Sequence, residues 1–223
     1  MPKPNHRSEL NVYWHIGRAT VGTAMRMTMR IRAHGLRNLP ATEPAIVAAN
    51  HLSYLDPVVL GVVVSDQGRT VHFLAAAELF DKRVIGWAMR MIGQIPVRRG
   101  TADRGALEEL GAVVRKGSLA GIFPEGRRAD PGERLRGTKG VARIALSAGV
   151  PVIPVGLWGT HHKWPRNHRP VLFPLRPRVE IVFGPAVPPD GELANRGDVR
   201  SLTDRVMDEI STLAVEARKR VEG

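Results

Sequence analysis

The chain has 223 residues, a length that suits one domain with a full hydrophobic core. It contains no cysteine, which excludes disulfides, thiol nucleophiles and cysteine-ligated metal sites. The formal net charge of +12 favours anionic partners: phosphorylated small molecules, acidic lipid surfaces or nucleic acid. No run of about 18 uninterrupted apolar residues occurs, which argues against a transmembrane helix.

The N-terminal segment predicts an amphipathic helix over residues 10–33, followed by a turn at His34 and Gly35. Its apolar residues Leu10, Tyr13, Trp14, Val21, Met25 and Met29 are interleaved with Arg18, Arg26, Arg30 and Arg32. This composition suits a helix lying on an anionic membrane surface, and a helix packed on the domain is the alternative. We therefore expect a membrane-associating segment over residues 1–33 and a globular domain over residues 34–223.

Short apolar runs typical of buried strands alternate with helical patterns through the rest of the chain. The predicted strands cover residues 45–49, 71–75, 94–97, 119–123, 151–157 and 179–183. The predicted helices cover residues 57–66, 78–92, 102–116, 138–148 and 198–220, and residues 159–178 form an irregular excursion. This alternation predicts an α/β fold with a mostly parallel central sheet flanked by helices.

The segment NHLSYLD, residues 50–56, directly follows the first of these apolar runs. Histidine is the side chain best suited to accept a proton near neutral pH, and a carboxylate on its second nitrogen fixes the tautomer. His51 and Asp56 are therefore candidates for a general base and its orienting partner. On one regular helix they would point about 140° apart, so we expect His51 on the turn before the helix. Alternatively, Asp56 only caps the helix or forms a capping box with Ser53.

Two further apolar runs end in arginine-rich corners, GQIPVRR over residues 93–99 and GIFPEGRR over residues 121–128. Arg98, Arg127 or Arg128 could bind a phosphate, and solvated charges at a strand end are the alternative. Glu125, in the second corner, could hold a substrate hydroxyl or an arginine.

Two other positions in this region suit an anion site. Gly126 permits a positive φ and a close approach of the backbone to a ligand. Lys139 opens a predicted helix, whose first N–H groups and dipole would add to the site. In α/β sheets ligands bind at the carboxyl ends of strands, so His51, Arg98 and Glu125 converge if their strands are parallel neighbours.

These residues carry a family resemblance, because four blocks occur in one order along residues 50–155. They are NHLSYLD at 50–56, GQIPVR at 93–98, FPEG at 123–126 and VIPV at 152–155. The set resembles the glycerolipid acyltransferases typified by bacterial lysophosphatidic acid acyltransferase, whose usual Lys-Gly helix start matches Lys139 and Gly140. The chain departs from the pattern at Arg127, where the family commonly has Thr or Ser, and at Gln94, where it has an aromatic residue.

The resemblance implies that His51 is the base and Asp56 its partner. It also implies that Arg98, Glu125 and Gly126 bind a phosphorylated acceptor, and Asn50, Arg127 and Lys139 complete the predicted substrate-binding set.

The expected reaction is acyl transfer from acyl-CoA to the sn-2 hydroxyl of 1-acylglycerol 3-phosphate, forming phosphatidic acid without a metal or cofactor; acyl carrier protein is the alternative donor. We expect a peripheral protein on the cytoplasmic face of the cell membrane. The alternatives are another lysophospholipid or a glycolipid as acceptor, a non-catalytic lipid binder, and a basic nucleic-acid-binding domain. Sparse aromatic residues and the lack of a recognition motif argue against nucleic acid.

Overall fold

A seven-stranded sheet forms the centre of the computed structural model, which describes residues 11–98, 103–171 and 176–223. The strands are β1 (Arg30–His34), β2 (Ala45–Ala49), β3 (Val71–Ala76), β4 (Ile95–Val97), β5 (Leu119–Ile122), β6 (Val152–Trp158) and β7 (Arg178–Phe183). The helices are α1 (Val12–Gly17), α2 (Thr23–Thr28), α3 (Asp56–Asp66), α4 (Ala77–Phe80), α5 (Arg83–Met91), α6 (Arg104–Arg115), α7 (Gly140–Ala148) and α8 (Arg196–Glu222). A π-helical turn at Arg18–Gly22 joins α1 to α2, and short 3-10 helices lie at Leu36–Asn38 and Thr160–His162.

The strand order is β1-β7-β6-β2-β5-β3-β4. The five strands from β6 to β4 run parallel, β7 is antiparallel to β6, and β1 is parallel to β7. The predicted α/β fold with a mostly parallel sheet flanked by helices is confirmed. Because β6, β2 and β5 are adjacent and parallel, the segments that follow them meet at one edge of the sheet.

Helices cover both faces of the sheet. Strand β2 is buried along its whole length, which is typical of a parallel strand covered on both sides. Ile46 and Ala48 pack with residues of α6, α7 and α8, whereas Val47 and Ala49 pack with α3 and Trp14 of α1. The alternation of side chains along one strand therefore divides the interior into two cores.

The predicted N-terminal helix over residues 10–33 is wrong at its C-terminal end. The helical segment ends at Thr28, and Arg30–His34 forms β1, which pairs with β7 over five residues. The arginines at 30 and 32 alternate with Ile31 and Ala33, a two-residue period of a strand. The boundary expected at residues 33/34 therefore falls inside a strand of the sheet, and membrane association of the helix stays a prediction.

Two other predicted elements differ from the structure. The helix expected over residues 78–92 is two helices, α4 and α5, and the helix expected from residue 102 begins at Arg104. Residues 99–102, which include one arginine of the first arginine-rich corner, lie outside the described residues. The irregular excursion at 159–178 begins with the 3-10 helix and includes residues 172–175, also outside the described residues.

Candidate active site

His51 and Asp56 form a hydrogen-bonded pair at the carboxyl end of β2. The Nδ1 of His51 lies 2.8 Å from Oδ2 of Asp56, and the aspartate is completely buried. His51 lies in the loop after β2, and Asp56 is the first residue of α3. The expectation that the histidine precedes the helix is therefore confirmed, because the loop turns the two side chains toward each other.

Asp56 faces hydrogen-bond donors on both carboxylate oxygens. The backbone N–H groups of Leu52 and Ser53 donate to Oδ2 at 2.6 and 2.7 Å. The hydroxyl of Thr160 donates to Oδ1 and is itself completely buried. A carboxylate surrounded by donors can only accept from the histidine, so Nδ1 of His51 carries the proton. The Nε2 atom of the neutral ring is then free to accept a proton.

The structure distinguishes the two structural alternatives for Asp56, a simple helix cap and a capping box with Ser53. Its side chain accepts from residues before the helix, and no side-chain cap bond is present at the start of α3. The simple cap reading is therefore wrong. Half of the capping box exists, since Asp56 accepts from the Ser53 N–H, but the Ser53 hydroxyl accepts from Leu55 and donates to the carbonyl of Trp164.

Glu125 lies beside His51 because β5 is the direct neighbour of β2. One carboxylate oxygen accepts from the backbone N–H of His51 at 3.3 Å. Burial is the main cause that raises the pKa of Glu125 to about 7, and the negative charges of Asp56 and Glu133 add to the effect. The carboxyl group of Glu125 is thus partly protonated at neutral pH and can donate as well as accept.

The turn after Glu125 brings Gly126 and Lys139 close to the same edge. Gly126 adopts a φ of +69°, the left-handed region that glycine tolerates best. The N–H of Thr138 donates to the carbonyl of Pro124 at 2.7 Å, which holds the start of α7 against this turn. Lys139 is exposed at that helix start, on the site side of the sheet edge.

The remaining predicted residues lie in different surroundings. Arg98 follows β4, three strands away from β2, which corresponds to about 14 Å across the sheet. It therefore shares the sheet edge with His51 but is not its neighbour. Asn50 is buried and clamps β2 to β6, since its amide donates to the Leu157 carbonyl and accepts from the Leu157 N–H. The predicted substrate contacts of these two residues stay predictions.

The two arginines after Gly126 point to different partners. Arg127 is half exposed and forms an ion pair with Glu133. The guanidinium of Arg128 lies 3.6 Å from the ring centroid of Tyr54, in the loop between His51 and Asp56. Its Nη1 atom is buried without a hydrogen-bond partner among the described residues. Arg128 is therefore better placed than Arg127 to meet an anion near His51, although the predicted set contains Arg127.

His51 is one of the residues that line an apolar groove of about 330 Å³. Its wall at the histidine is aromatic, because the rings of His51 and Phe123 stack at 4.2 Å and those of Phe123 and Phe73 at 5.6 Å. The other walls come from α1, the π-helical turn, α3, α4, α5 and the residue after α5; they include Trp14, Val21, Val58, Val62, Leu79, Met89 and Ile92. A long apolar chain fits the chemistry of these walls.

Sequence reasoning missed two features of the site. Thr160 lies 104 positions from Asp56, so only the pairing of β6 with β2 brings them together. The stack of Phe123 on His51 also depends on the adjacency of β2 and β5. Thr160 has no local sequence signal, and the FPEG block marks Phe123 without showing which ring it stacks on.

Among the described residues, no helix combines the length and the apolar character needed to cross a bilayer.

Known proteins resemble this chain in sequence and in fold. A 1-acyl-sn-glycerol-3-phosphate acyltransferase of Brassica napus chloroplasts is 35% identical over 141 residues, which cover 62% of this chain and 40% of the relative. The enzyme of that name from Bacillus subtilis is 27% identical over 129 residues, covering 58% of this chain and 63% of the relative. The matched region thus spans only about two fifths of the plant protein.

A solved structure gives an independent comparison. The crystal structure of the 1-acyl-sn-glycerophosphate acyltransferase PlsC from Thermotoga maritima matches with a TM-score of 0.72 and 27% sequence identity. The match covers 90% of this chain and 79% of that one. The family model described as Acyltransferase matches residues 30–158, a range that contains His51, Asp56 and Glu125. Because this range is more than half of the chain, the protein belongs to the acyltransferase family.

Proposed function

We propose that this protein transfers a fatty acyl group from a thioester donor to the sn-2 hydroxyl of 1-acylglycerol 3-phosphate, forming phosphatidic acid. The observation that carries the proposal is the position of His51. Its ring is oriented by a buried carboxylate and lines an apolar groove. A base in the wall of a groove that fits an apolar chain is the arrangement that acyl transfer requires.

The reaction follows from this geometry. The acyl chain lies in the groove, which places the thioester carbonyl near His51. Nε2 of His51 removes the hydroxyl proton as the acceptor oxygen attacks the carbonyl carbon. The C–O bond forms, the C–S bond breaks, and the imidazolium returns the proton to the departing thiolate. Asp56 stabilises the imidazolium while it exists, as the carboxylate does in other histidine-carboxylate pairs.

Arg128 is the side chain that we assign to the acceptor phosphate. Its buried Nη1 lacks a partner among the described side chains, and its stacking on Tyr54 fixes the guanidinium next to the catalytic loop. A guanidinium held beside this loop would bind a phosphate oxygen in a charge-assisted hydrogen bond. Arg98 and Lys139 contribute positive charge at the same edge, and Glu125 aligns the loop of His51 with the turn at Gly126.

The donor is acyl-CoA or acyl carrier protein, and no metal or other cofactor takes part, since a thioester is already activated toward acyl transfer. The lipid acceptor and the acyl chain are poorly soluble as monomers. We therefore place the protein at the cytoplasmic face of the cell membrane, as a peripheral enzyme.

The test is an assay of the purified protein with one labelled acyl-CoA and a panel of lysolipid acceptors. We expect transfer to 1-acylglycerol 3-phosphate, and a loss of about 10²–10⁴ in rate for His51→Ala. A preference for another lysophospholipid or for a glycolipid would show that the proposed acceptor is wrong. No transfer to any acceptor, from acyl-CoA or from acyl carrier protein, would overturn the enzymatic function and favour a non-catalytic binding protein.

Neighbouring arginines supply a matched pair of variants for the acceptor site. Arg128→Ala should weaken use of the phosphorylated acceptor about tenfold or more, because a charge-assisted contact is lost. Arg127→Ala, which removes a surface ion pair with Glu133, should change it little. A larger effect of Arg127→Ala than of Arg128→Ala would assign the phosphate contact to Arg127.

A further inference from the structure

The segment that follows β6 contacts the catalytic loop through an aromatic ring. The rings of Tyr54 and Trp164 lie 5.2 Å apart, centroid to centroid, with an angle of 58° between their planes. Tyr54 belongs to the loop between His51 and Asp56, whereas Trp164 lies just after the 3-10 helix that follows β6. Because Tyr54 is 37% exposed, the indole supplies packing that the protein interior does not give this ring.

The Tyr54 ring also contacts Arg128. The guanidinium carbon lies 3.6 Å from the ring centroid, so the cation covers one face of the ring and leaves the other face and the edges to Trp164. Tyr54 is in addition one of the residues that line the apolar groove. A ring that touches both the groove and the guanidinium separates the space of an apolar chain from the position of the cation. The orientation of Tyr54 therefore determines where Arg128 lies relative to the groove.

The backbone of Trp164 is anchored independently of its indole. Its N–H donates to the carbonyl of Thr160 at 3.1 Å, and its carbonyl accepts from the hydroxyl of Ser53 at 3.0 Å. The indole Nε1 donates to the carbonyl of His168 at 3.1 Å. Substitution of the side chain therefore removes the ring contact with Tyr54 and the bond to His168 but keeps the two backbone bonds.

We propose that Trp164 is a positioning residue for the acceptor phosphate, which acts through Tyr54 on the guanidinium of Arg128. This inference rests on the proposed function, in which Arg128 binds the phosphate. Without the indole, the half-exposed Tyr54 ring would be free to rotate, and the guanidinium would lose the surface that orients it. The loss falls on binding of the phosphorylated acceptor, because Tyr54 and Arg128 take no part in proton transfer at His51.

Steady-state kinetics of the purified full chain test this role, with 1-acylglycerol 3-phosphate and the thioester donor varied in turn. We expect Trp164→Ala to raise KM for the acceptor about threefold to tenfold, and to change kcat and the donor KM by less than about twofold. Trp164→Phe keeps a ring against Tyr54 but loses the bond to His168, and it should restore the acceptor KM. In an Arg128→Ala background, Trp164→Ala should have no further effect, because the group that it positions is absent.

Two further variants serve as a control and a second probe. Arg166 lies in the same segment and forms an ion pair with Asp130 at 2.8 Å. Arg166→Ala removes this surface contact and keeps the indole, so it should change the acceptor KM little. Tyr54→Leu removes the intermediate ring itself and should raise the acceptor KM as Trp164→Ala does. Thermal melting verifies that the variants are folded, and Tyr54→Leu decides the question if Trp164→Ala is not.

Several results would overturn the inference: an equal rise of both KM values in Trp164→Ala, a Trp164→Phe variant that behaves like Trp164→Ala, full additivity with Arg128→Ala, or an unchanged acceptor KM in Tyr54→Leu. An active wild type whose variants lack the expected pattern overturns the inference alone. A wild type that transfers no acyl group to 1-acylglycerol 3-phosphate overturns the proposed function and the inference with it. The two failures are therefore distinguishable.

Discussion

At the scale of single residues, the environment of Asp56 determines how His51 works. The carboxylate is completely buried, and its charge is stabilised by two backbone N–H groups, by the His51 ring and by the hydroxyl of Thr160. Only the last two are side chains. Removing the Thr160 hydroxyl would leave Oδ1 of Asp56 without a donor from a side chain. Thr160 therefore acts on the reaction through Asp56, as a positioning residue.

Substitution of Thr160 tests this role. Thr160→Val keeps the size of the side chain and removes the donor to Asp56. The lost hydrogen bond is worth about 1.5–3 kcal/mol because its acceptor is charged. We expect acyl transfer, measured as kcat/KM, to fall about tenfold or more. Thr160→Ser, which keeps a hydroxyl, should restore most of the activity.

Thr203 provides the control for that experiment. Its buried hydroxyl donates to the carbonyl of Val199 inside α8, away from the site. Thr203→Val should therefore change stability but not kcat/KM. A similar loss of activity in both valine variants, or no rescue by Thr160→Ser, would contradict the positioning role.

Glu125 makes stability depend on pH. Burial raises its pKa from an ordinary 4.5 to about 7, so the folded protein binds more protons than the unfolded chain between these values. The free energy of unfolding should therefore fall as pH rises from about 4.5 to 7, by about 3 kcal/mol at most from this group. Above pH 7 the contribution is constant.

Denaturant unfolding of the wild type and Glu125→Gln across this pH range measures the effect. The glutamine variant cannot titrate at this position, so its stability should fall less between pH 5 and 7. Parallel curves for the two proteins would show that Glu125 has an ordinary pKa in the folded state.

At the scale of elements, sequence reasoning succeeded where a strand is buried on both faces. The run at residues 45–49 coincides with β2, because a parallel strand inside two helical layers is apolar at every position. It failed at β1, an edge strand whose alternate positions are arginines and a histidine. Such a strand has no continuous apolar run, and its residues follow directly on a helix.

Among the site residues, sequence reasoning succeeded for partners that are close in sequence and failed for partners that are distant. His51 and Asp56 are five residues apart, so one local segment contains both partners and the sequence predicts the pair. Thr160 and Arg128 depend on which strands are neighbours and on how a turn directs its side chains. The alternation of strands and helices predicts a parallel sheet but not its strand order. The sequence could therefore place His51, Arg98 and Glu125 at one edge of the sheet but not state which of them are neighbours.

At the scale of the whole molecule, the N-terminal helices are part of the domain as well as a candidate membrane surface. Trp14, expected to insert into the membrane, is only 7% exposed and packs in the core beneath α3, where it lies over Gly61. That expectation is wrong for the described structure, and the exposed side of α1 is the one that carries Val12 and Ile16. Deleting residues 1–33 would also remove most of β1.

Alanine substitutions on α1 measure how far the helix belongs to the fold. Trp14→Ala removes a buried aromatic side chain and should lower the free energy of unfolding by about 3–5 kcal/mol. Ile16→Ala, on the exposed side of the same helix, should change it by no more than about 0.5 kcal/mol. Urea unfolding of both variants at one pH provides the comparison. Equal stabilities would contradict the packing of Trp14 in the core. A large difference would show that α1 belongs to the fold, which is the alternative that the sequence left open.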